Sequence, residues 1–103
     1  MIVTTQERVE NRTISQTLGV VSGQSIRARH VGKDILASFR NLVGGEITEY
    51  SKLMAESREQ AMDRMKVHAT ELGADAIVGV RFTTSMLQQG ASEIFIYGTA
   101  VKL

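Results

Sequence analysis

Apolar residues at helical spacing mark the second half of the chain. Residues 48–72 contain neither glycine nor proline, so no helix breaker interrupts this stretch. One side of the resulting helix would carry the apolar residues Tyr50, Leu53, Met54, Ala61, Met65, Ala69 and Leu72. Thr48 is suited to cap the N-terminus, and Gly73 is suited to end the helix in a left-handed conformation. The pattern therefore predicts one long helix over 48–72, about 35 Å in length.

Two runs of alternating residues follow this helix. Residues 74–87 and 93–103 are rich in β-forming side chains and are separated by the polar, glycine-containing stretch 88–92. This arrangement predicts an antiparallel hairpin. In its first strand, alternation places Ala76, Val78, Val80 and Phe82 on one face, and Ile77, Gly79, Arg81 and Thr83 on the other. In its second strand, Ile94, Ile96, Gly98 and Ala100 lie opposite Phe95, Tyr97, Thr99 and Val101.

The N-terminal half gives shorter signals. A β-branched run covers residues 2–5, and residues 14–28 predict two extended stretches with a bend or bulge at Gly19 and Gly23. A short helix is predicted over 33–45, because apolar residues recur there at helical spacing and Gly44 provides a stop. Its apolar positions are Ile35, Leu36, Phe39, Leu42 and Val43.

Both faces of the predicted hairpin carry apolar side chains. A sheet with water on one side normally alternates apolar and polar positions, and one helix covers only one face. The second face therefore needs a cover, either the N-terminal ribbon or another copy of the chain, and we predict a homo-oligomer. The small residues Gly98 and Ala100 would allow a helix to approach the sheet closely.

Composition narrows the function classes. The 103 residues, 43% of them hydrophobic, describe one globular domain over 1–103. The chain has no cysteine, which excludes disulfides, thiolate nucleophiles and cysteine-ligated metals within it. A net charge of +1 gives no reason to expect nucleic acid as a partner. The chain has neither a membrane-spanning stretch nor a secretory signal, so we expect a cytoplasmic protein without a membrane partner.

Several motifs together resemble one known family. They are TLGVVSG at 17–23, DILASFRNLVGG at 34–45, Tyr50 followed by the long helix with Arg58 and Ala61, LGADAIVGVRF at 72–82, and GTAV at 98–101. These segments resemble the bacterial YbjQ family over essentially the whole chain. The resemblance implies an α+β subunit in which a long helix packs on an antiparallel β-sheet. The layout would be like that of a dodecin subunit, and the subunits would form a homo-oligomeric ring, a pentamer.

The resemblance also brings a functional label. The YbjQ family is often called a "putative heavy-metal-binding domain", so a metal ion is one expected ligand. Some relatives carry cysteine at the position of Leu18, and this chain lacks that thiol. The sequence therefore leaves both the metal site and any cofactor unassigned.

A glycine pair provides the candidate site for a small ligand. Gly44 and Gly45 precede the start of the long helix, where backbone N–H groups and a positive helix end can bind an anion. Arg40 and Tyr50 flank this loop, and these four residues form the predicted ligand-binding set. The alternative role of Gly44 is only to cap the preceding helix.

Two further groups could hold a metal ion. Met62, Met65 and His68 follow one side of the helix, and soft thioether ligands suit Cu(I). The alternative is that the methionines fill the core. His30 and Asp34 supply one imidazole and one carboxylate, but two ligands do not make a site, and a loop residue and a helix-starting carboxylate explain them better.

The remaining polar residues form no known catalytic pattern. The basic stretch 26–33 contains no aromatic residue for stacking on bases, and no serine lies in a GxSxG motif. Glu56 and Glu59 lie on a charged face beside Arg58, Asp63 and Lys66. The sequence therefore favours a non-enzymatic assembly or small-ligand-binding protein. The alternatives are a metal-binding protein with His and Met ligands and an enzyme with a pocket between subunits.

Overall fold

The computed structural model describes residues 1–27, 45–88 and 91–103. Strands β1 (Ile2–Val3), β2 (Gln16–Arg27), β3 (Ala76–Gln88) and β4 (Ala91–Lys102) form one sheet in the order β1-β3-β4-β2. Helix α1 (Gly45–Glu71) packs on one face of the sheet, mainly against β2. The predicted α+β class and the antiparallel β3–β4 hairpin are confirmed. The short helix predicted over 33–45 lies, except for its last residue, outside the described residues.

The sheet is mixed, and the prediction of an antiparallel sheet is wrong for one strand. β1 runs parallel to β3, with Ile2 opposite Ala76 and Val3 opposite Ile77. β2 lies at the other edge and pairs antiparallel with β4. Residues 4–15 connect β1 to β2 across the sheet, and a crossover of about a dozen residues joins strands that run in the same direction. Strands β1 and β2 therefore run in the same direction. Because β2 and β3 are both antiparallel to β4, β1 also runs parallel to β3.

The crossing segment first protects the edge of β3. The N–H of Thr4 donates to the carbonyl of Ile77 at 3.0 Å, and the N–H of Val80 donates to the carbonyl of Thr4 at 3.1 Å. The N–H of Gly79 donates to the carbonyl of Gln6 at 2.7 Å. The outer edge of β3 is therefore paired as far as Val80.

The same segment then covers one end of the face opposite α1. Val9 and Ile14 pack there on a small core of Ala76, Val78 and Val101. The N-terminal ribbon is thus one of the two covers that the apolar hairpin requires. It reaches only this end of the face.

Helix α1 starts earlier than predicted. Its 27 residues begin at Gly45, so Thr48 is not its N-cap. Glu46 and Ile47 do not break a helix, and glycine is itself tolerated at a helix start, so a good capping residue alone does not fix the boundary. In the described part of the chain, no helix is long and apolar enough to cross a membrane.

The C-terminal end of α1 is confirmed at Gly73. This residue has a φ of 79°, in the left-handed region that favours glycine. The N–H of Gly73 donates to the carbonyl of Thr70 at 3.0 Å, and the N–H of Ala74 donates to the carbonyl of Ala69 at 3.1 Å. These two bonds form a Schellman motif, which satisfies the last carbonyls of the helix.

The main core lies between α1 and the sheet. Ala61, Met65 and Ala69 are buried at four-residue spacing, as the apolar stripe predicts. They pack against the sheet residues Val21, Ile77, Val80, Ile94, Ile96 and Ala100. Leu72 departs from the prediction, because it follows the end of α1 and is 42% exposed.

The close approach of α1 occurs at Gly23, in β2. A Cβ atom on Gly23 would lie 2.1 Å from the carbonyl oxygen of Ala61 and 2.6 Å from the backbone nitrogen of Met65. The expectation that Gly98 admits the helix is wrong. A Cβ atom on Gly98 would instead meet the side chains of Ile77 and Val80 on β3.

Bulges change the predicted alternation in two strands. In β3, the register shifts between Val78 and Arg81, and Gly79 has a φ of 62°. Val80 therefore joins the helix-facing core instead of sharing a face with Val78. In β2 the predicted bulge is present at Gly19, whereas Gly23 makes no bend, so residues 16–27 form one strand instead of two.

We expect Gly23→Ala to lower the free energy of unfolding by about 3 kcal/mol, because the new methyl group collides with the helix backbone. Gln24→Ala, at the neighbouring exposed position, is the control and should change stability by less than about 0.5 kcal/mol. Urea unfolding measures both values. Equal stability of the two variants would show that α1 does not lie this close to β2.

Candidate functional site

The predicted ligand-binding set lies mostly outside the described residues. Arg40 and Gly44 are not described, and neither are His30 and Asp34. Gly45 is the first residue of α1, and Tyr50 lies within its first two turns, where only the backbone is described. The small-ligand site therefore remains a prediction.

The Met and His residues on α1 have other roles. Met65 is fully buried in the core, and Met62 is partly buried against the same core. The Nδ1 atom of His68 accepts a hydrogen bond from the N–H of Ser22 at 3.3 Å. Core packing explains the methionines, as the alternative interpretation of the sequence proposed. The Nδ1 atom of His68 is therefore not free to bind a metal ion.

His68 is one of two α1 side chains that bond to the outer edge of β2. The N–H of Ser22 points away from β4, and His68 accepts its hydrogen bond. Four residues earlier on α1, Nη1 of Arg64 donates to the carbonyl of Gln24 at 2.6 Å. These two contacts satisfy backbone groups that an edge strand would otherwise offer to another chain. Sequence reasoning missed them because a helix face and a strand edge meet only in the fold.

A buried polar cluster lies between the same two elements, α1 and β2. Ser25 and Ser57 are both fully buried. The hydroxyl of Ser57 donates to Oγ of Ser25 at 2.9 Å, and Ser25 donates to Oε1 of Gln60 at 2.7 Å. No imidazole or carboxylate takes part in these described contacts, so the cluster links β2 to α1 rather than activating a serine. Ser57 lies four residues before Ala61 in the apolar row, and this spacing was a usable sign of its burial.

The face of the sheet opposite α1 carries several exposed apolar side chains. Val20 is 72% exposed, Ile26 is 49% exposed and Tyr97 is 38% exposed. Phe95 lies beside Tyr97, with 5.8 Å between the two ring centroids. Strand alternation places all four on the side away from the helix, because Val21, Ile94 and Ile96 are in the helix-facing core. We call Val20, Ile26, Phe95 and Tyr97 the open face.

Other surfaces of the described residues offer little chemistry. No group of three or more His, Asp or Glu side chains is placed to hold a metal ion in the described ranges. A shallow depression of about 640 Å³ is lined by Gln6, Glu7, Arg8 and Glu10, none of which belongs to a predicted site. The open face is therefore the best-defined candidate functional surface.

Comparisons with known proteins identify the family and the fold. The model of the YbjQ family, described as "Putative heavy-metal-binding", matches residues 1–103. A protein of Archaeoglobus fulgidus named "UPF0145 protein" is 53% identical over 103 residues, covering 100% of this chain and 95% of its own length. A protein of the same name from Psychrobacter arcticus is 56% identical over 96 residues, and this chain spans only 61% of its length. The expectation of a bacterial family is therefore too narrow, because the family also has archaeal members.

A solved structure is similar in fold. It is a protein of unknown function of the DUF74 family from Pediococcus pentosaceus, with a TM-score of 0.69 and 20% sequence identity. The similarity covers 100% of this chain and 97% of that protein. At this identity the likeness supports the fold alone.

We expect His68→Ala to accelerate hydrogen exchange at the amide of Ser22, because the substitution removes the acceptor of that N–H. The same variant should lose about 1 kcal/mol of unfolding free energy. Exchange measured by NMR separates this effect from global loss of stability, since the buried amide of Val21 serves as the internal control. Unchanged exchange at Ser22 would contradict the described contact.

Proposed function

The chain belongs to the YbjQ family, and on this premise we propose that it is a non-enzymatic, homo-oligomeric assembly protein, with a pentamer-like ring as its form. The open face is the observation that supports this proposal. It combines two aliphatic and two aromatic side chains, three of which are more than one-third exposed. Exposed apolar side chains of this kind on one face of a sheet are typical of an interaction site. Burying a fully exposed side chain of this kind contributes about 1.5–3 kcal/mol, and a side chain that is already partly buried contributes correspondingly less.

The shape of the chain supports the same proposal. The radius of gyration is 16.9 Å, compared with about 13 Å for a compact domain of 100 residues. An elongated chain encloses less of its own apolar surface. Neighbouring copies would supply the missing cover. A homo-oligomer also explains why the sequence has apolar residues on both faces of the hairpin although one helix packs on it.

Ring closure places a further demand on the interface. An odd-numbered ring forms only if the open face of one copy meets a different surface of the next copy. Contact between two open faces would instead give a two-fold pair. The pentamer-like form therefore requires a counter-surface outside Val20, Ile26, Phe95 and Tyr97.

Small-ligand binding is the second part of the proposal. The helix starts at Gly45, so the N–H groups of its first turn lie at the predicted ligand loop. Arg40, Gly44, Gly45 and Tyr50 are the residues to test for it. Native mass spectrometry of the untagged protein reports subunit number and any retained organic or metal mass in one spectrum.

We expect the double variant Val20→Glu/Tyr97→Glu to abolish the ring and so lower the mass of the assembly, because two buried carboxylates per interface would lack partners. Val67→Glu is the matched control, since Val67 is 59% exposed on α1 and lies outside the open face. Light scattering at micromolar concentration measures the mass, and circular dichroism checks the fold. A wild-type protein that is already monomeric, or a double variant that keeps the full mass, would contradict the proposal.

The family is described as heavy-metal-binding, and a resident metal ion would need donor atoms that are free to coordinate it. Among the described residues, the thioether of Met65 is enclosed in the core, and Nδ1 of His68 accepts from Ser22, so Nε2 carries the proton of the neutral imidazole. Cu(I) needs at least two free soft ligands. The Met and His residues of α1 therefore do not fit a resident metal site.

We expect the double variant Met65→Leu/His68→Gln to retain the same Cu(I) and Zn²⁺ content as the wild type after equal loading and dialysis. Leucine conserves the core volume, so the fold is kept. Elemental analysis by mass spectrometry gives the metal content per subunit. Metal content that falls in the variant would restore these residues as ligands. Treatment with a chelator provides the baseline for both proteins.

A further inference from the structure

No described residue pairs with the outer edge of the far half of β3. Pairing by the N-terminal segment ends at Val80, whose N–H donates to Thr4. Backbone groups alternate in direction along a strand, so those of Phe82, Thr84 and Met86 point to the same outer side as Val80. No hydrogen bond reaches these outward groups within the described residues.

The side chains on this edge do not protect it. Edge strands usually avoid new pairing through lysine, proline, a bulge or a covering segment. Residues 81–86 contain neither lysine nor proline, and their register against β4 is regular. Phe82 is 45% exposed and Met86 is 75% exposed. On the β2 edge, in contrast, Arg64 bonds to the carbonyl of Gln24 and His68 to the N–H of Ser22. Side chains of the same chain therefore bond to outward backbone groups on the β2 edge but, among the described residues, not on this part of the β3 edge.

We propose that the edge of β3 pairs with the same edge of a second copy, antiparallel about a two-fold axis at Thr84. Phe82 then lies opposite the partner's Met86, and Thr84 lies opposite the partner's Thr84. The outward groups of these residues would exchange about six hydrogen bonds across the junction. The two sheets become one continuous sheet of eight strands.

Side-chain chemistry favours a copy of the same edge as the occupant. A methionine sulfur beside an aromatic ring is a favourable contact, and it occurs twice in this arrangement. Two threonines opposite each other also stabilise paired strands. Arg81 is the single charged residue in 81–88, and its guanidinium donates to the carbonyls of Thr5 and Val80 in its own chain. No like charges are brought together.

The register follows from the ends of the free edge. Centring the axis on Phe82 would require the partner to displace Thr4 from Val80. Centring it on Met86 would extend the pairing into the register shift between Met86 and Gln88. The axis at Thr84 uses all three outward positions without either conflict. This surface is distinct from the open face, so ring formation and edge pairing are independent of each other.

Thr84→Pro tests the pairing directly. Proline removes the outward N–H but leaves the inward bonds to β4, and edge strands tolerate it. Thr84→Val keeps the N–H and the shape of the side chain, so it is the matched control. Native mass spectrometry should show the assembly mass halved in the proline variant and unchanged in the valine variant. Phe82→Glu/Met86→Glu, at two exposed positions, should also halve the mass through like charges placed opposite each other.

A single cysteine tests the two-fold axis. The chain has no cysteine of its own, so Thr84→Cys would place one thiol opposite its symmetry mate, within the distance range of a disulfide. Mild oxidation should convert most of this variant to a covalent dimer, whereas Val67→Cys on α1 should stay largely uncross-linked. Equal cross-linking of the two variants would indicate random collision and overturn the proposal.

Three further results with Thr84→Pro would each support or overturn the pairing of β3 edges. If Thr84→Pro lowers the unfolding temperature without changing the mass, another part of the same chain lies on this edge, and the proposal fails. If the wild type is a ring and Thr84→Pro reduces it to monomers, the edge belongs to the ring interface and the two-fold axis is wrong. If the wild type is a plain dimer that Thr84→Pro makes monomeric, edge pairing stands and the proposed ring fails.

Discussion

The backbone contact between α1 and β2 at Gly23 sets the geometry of the rest of the structure. Because Gly23 has no side chain, the helix backbone at Ala61 lies directly on the strand. Four residues of helix and two residues of strand both advance about 6 to 7 Å. The two elements therefore stay in step along the seam. Ser57 meets Ser25, and the side chain of Arg64 reaches the edge at Gln24.

The same contact decides which surfaces remain available. A helix held against β2 and β4 covers one face near one edge and leaves the far half of β3 uncovered. Two of its polar side chains bond to the β2 edge, while the N-terminal segment pairs with the first part of the β3 edge. Within residues 1–27, 45–88 and 91–103, the sheet thus has one edge contacted by helix side chains, one half-paired edge and one partly covered face. Association with further copies is the use that this distribution supports best.

The α1 methionines illustrate why residue type and spacing do not define a site. Met62, Met65 and His68 have the spacing of a soft-metal motif, and the family description points in the same direction. In the fold, Met65 fills the core and His68 binds a strand edge. A ligand must have its donor atom free and directed at a common point. That condition depends on neighbours that are distant in sequence.

Local patterns in the sequence determined the long helix, its end at Gly73 and the β3–β4 hairpin, because these depend on neighbouring residues. The need to cover a second apolar face was also readable from the hairpin alone. The tertiary structure decided the parallel β1 strand, the bulge that moves Val80 into the helix-facing core, and the role of Gly23. It also decided which edges are closed. Each of these depends on contacts between segments that are far apart in the chain, and neither propensity nor periodicity encodes which segments meet.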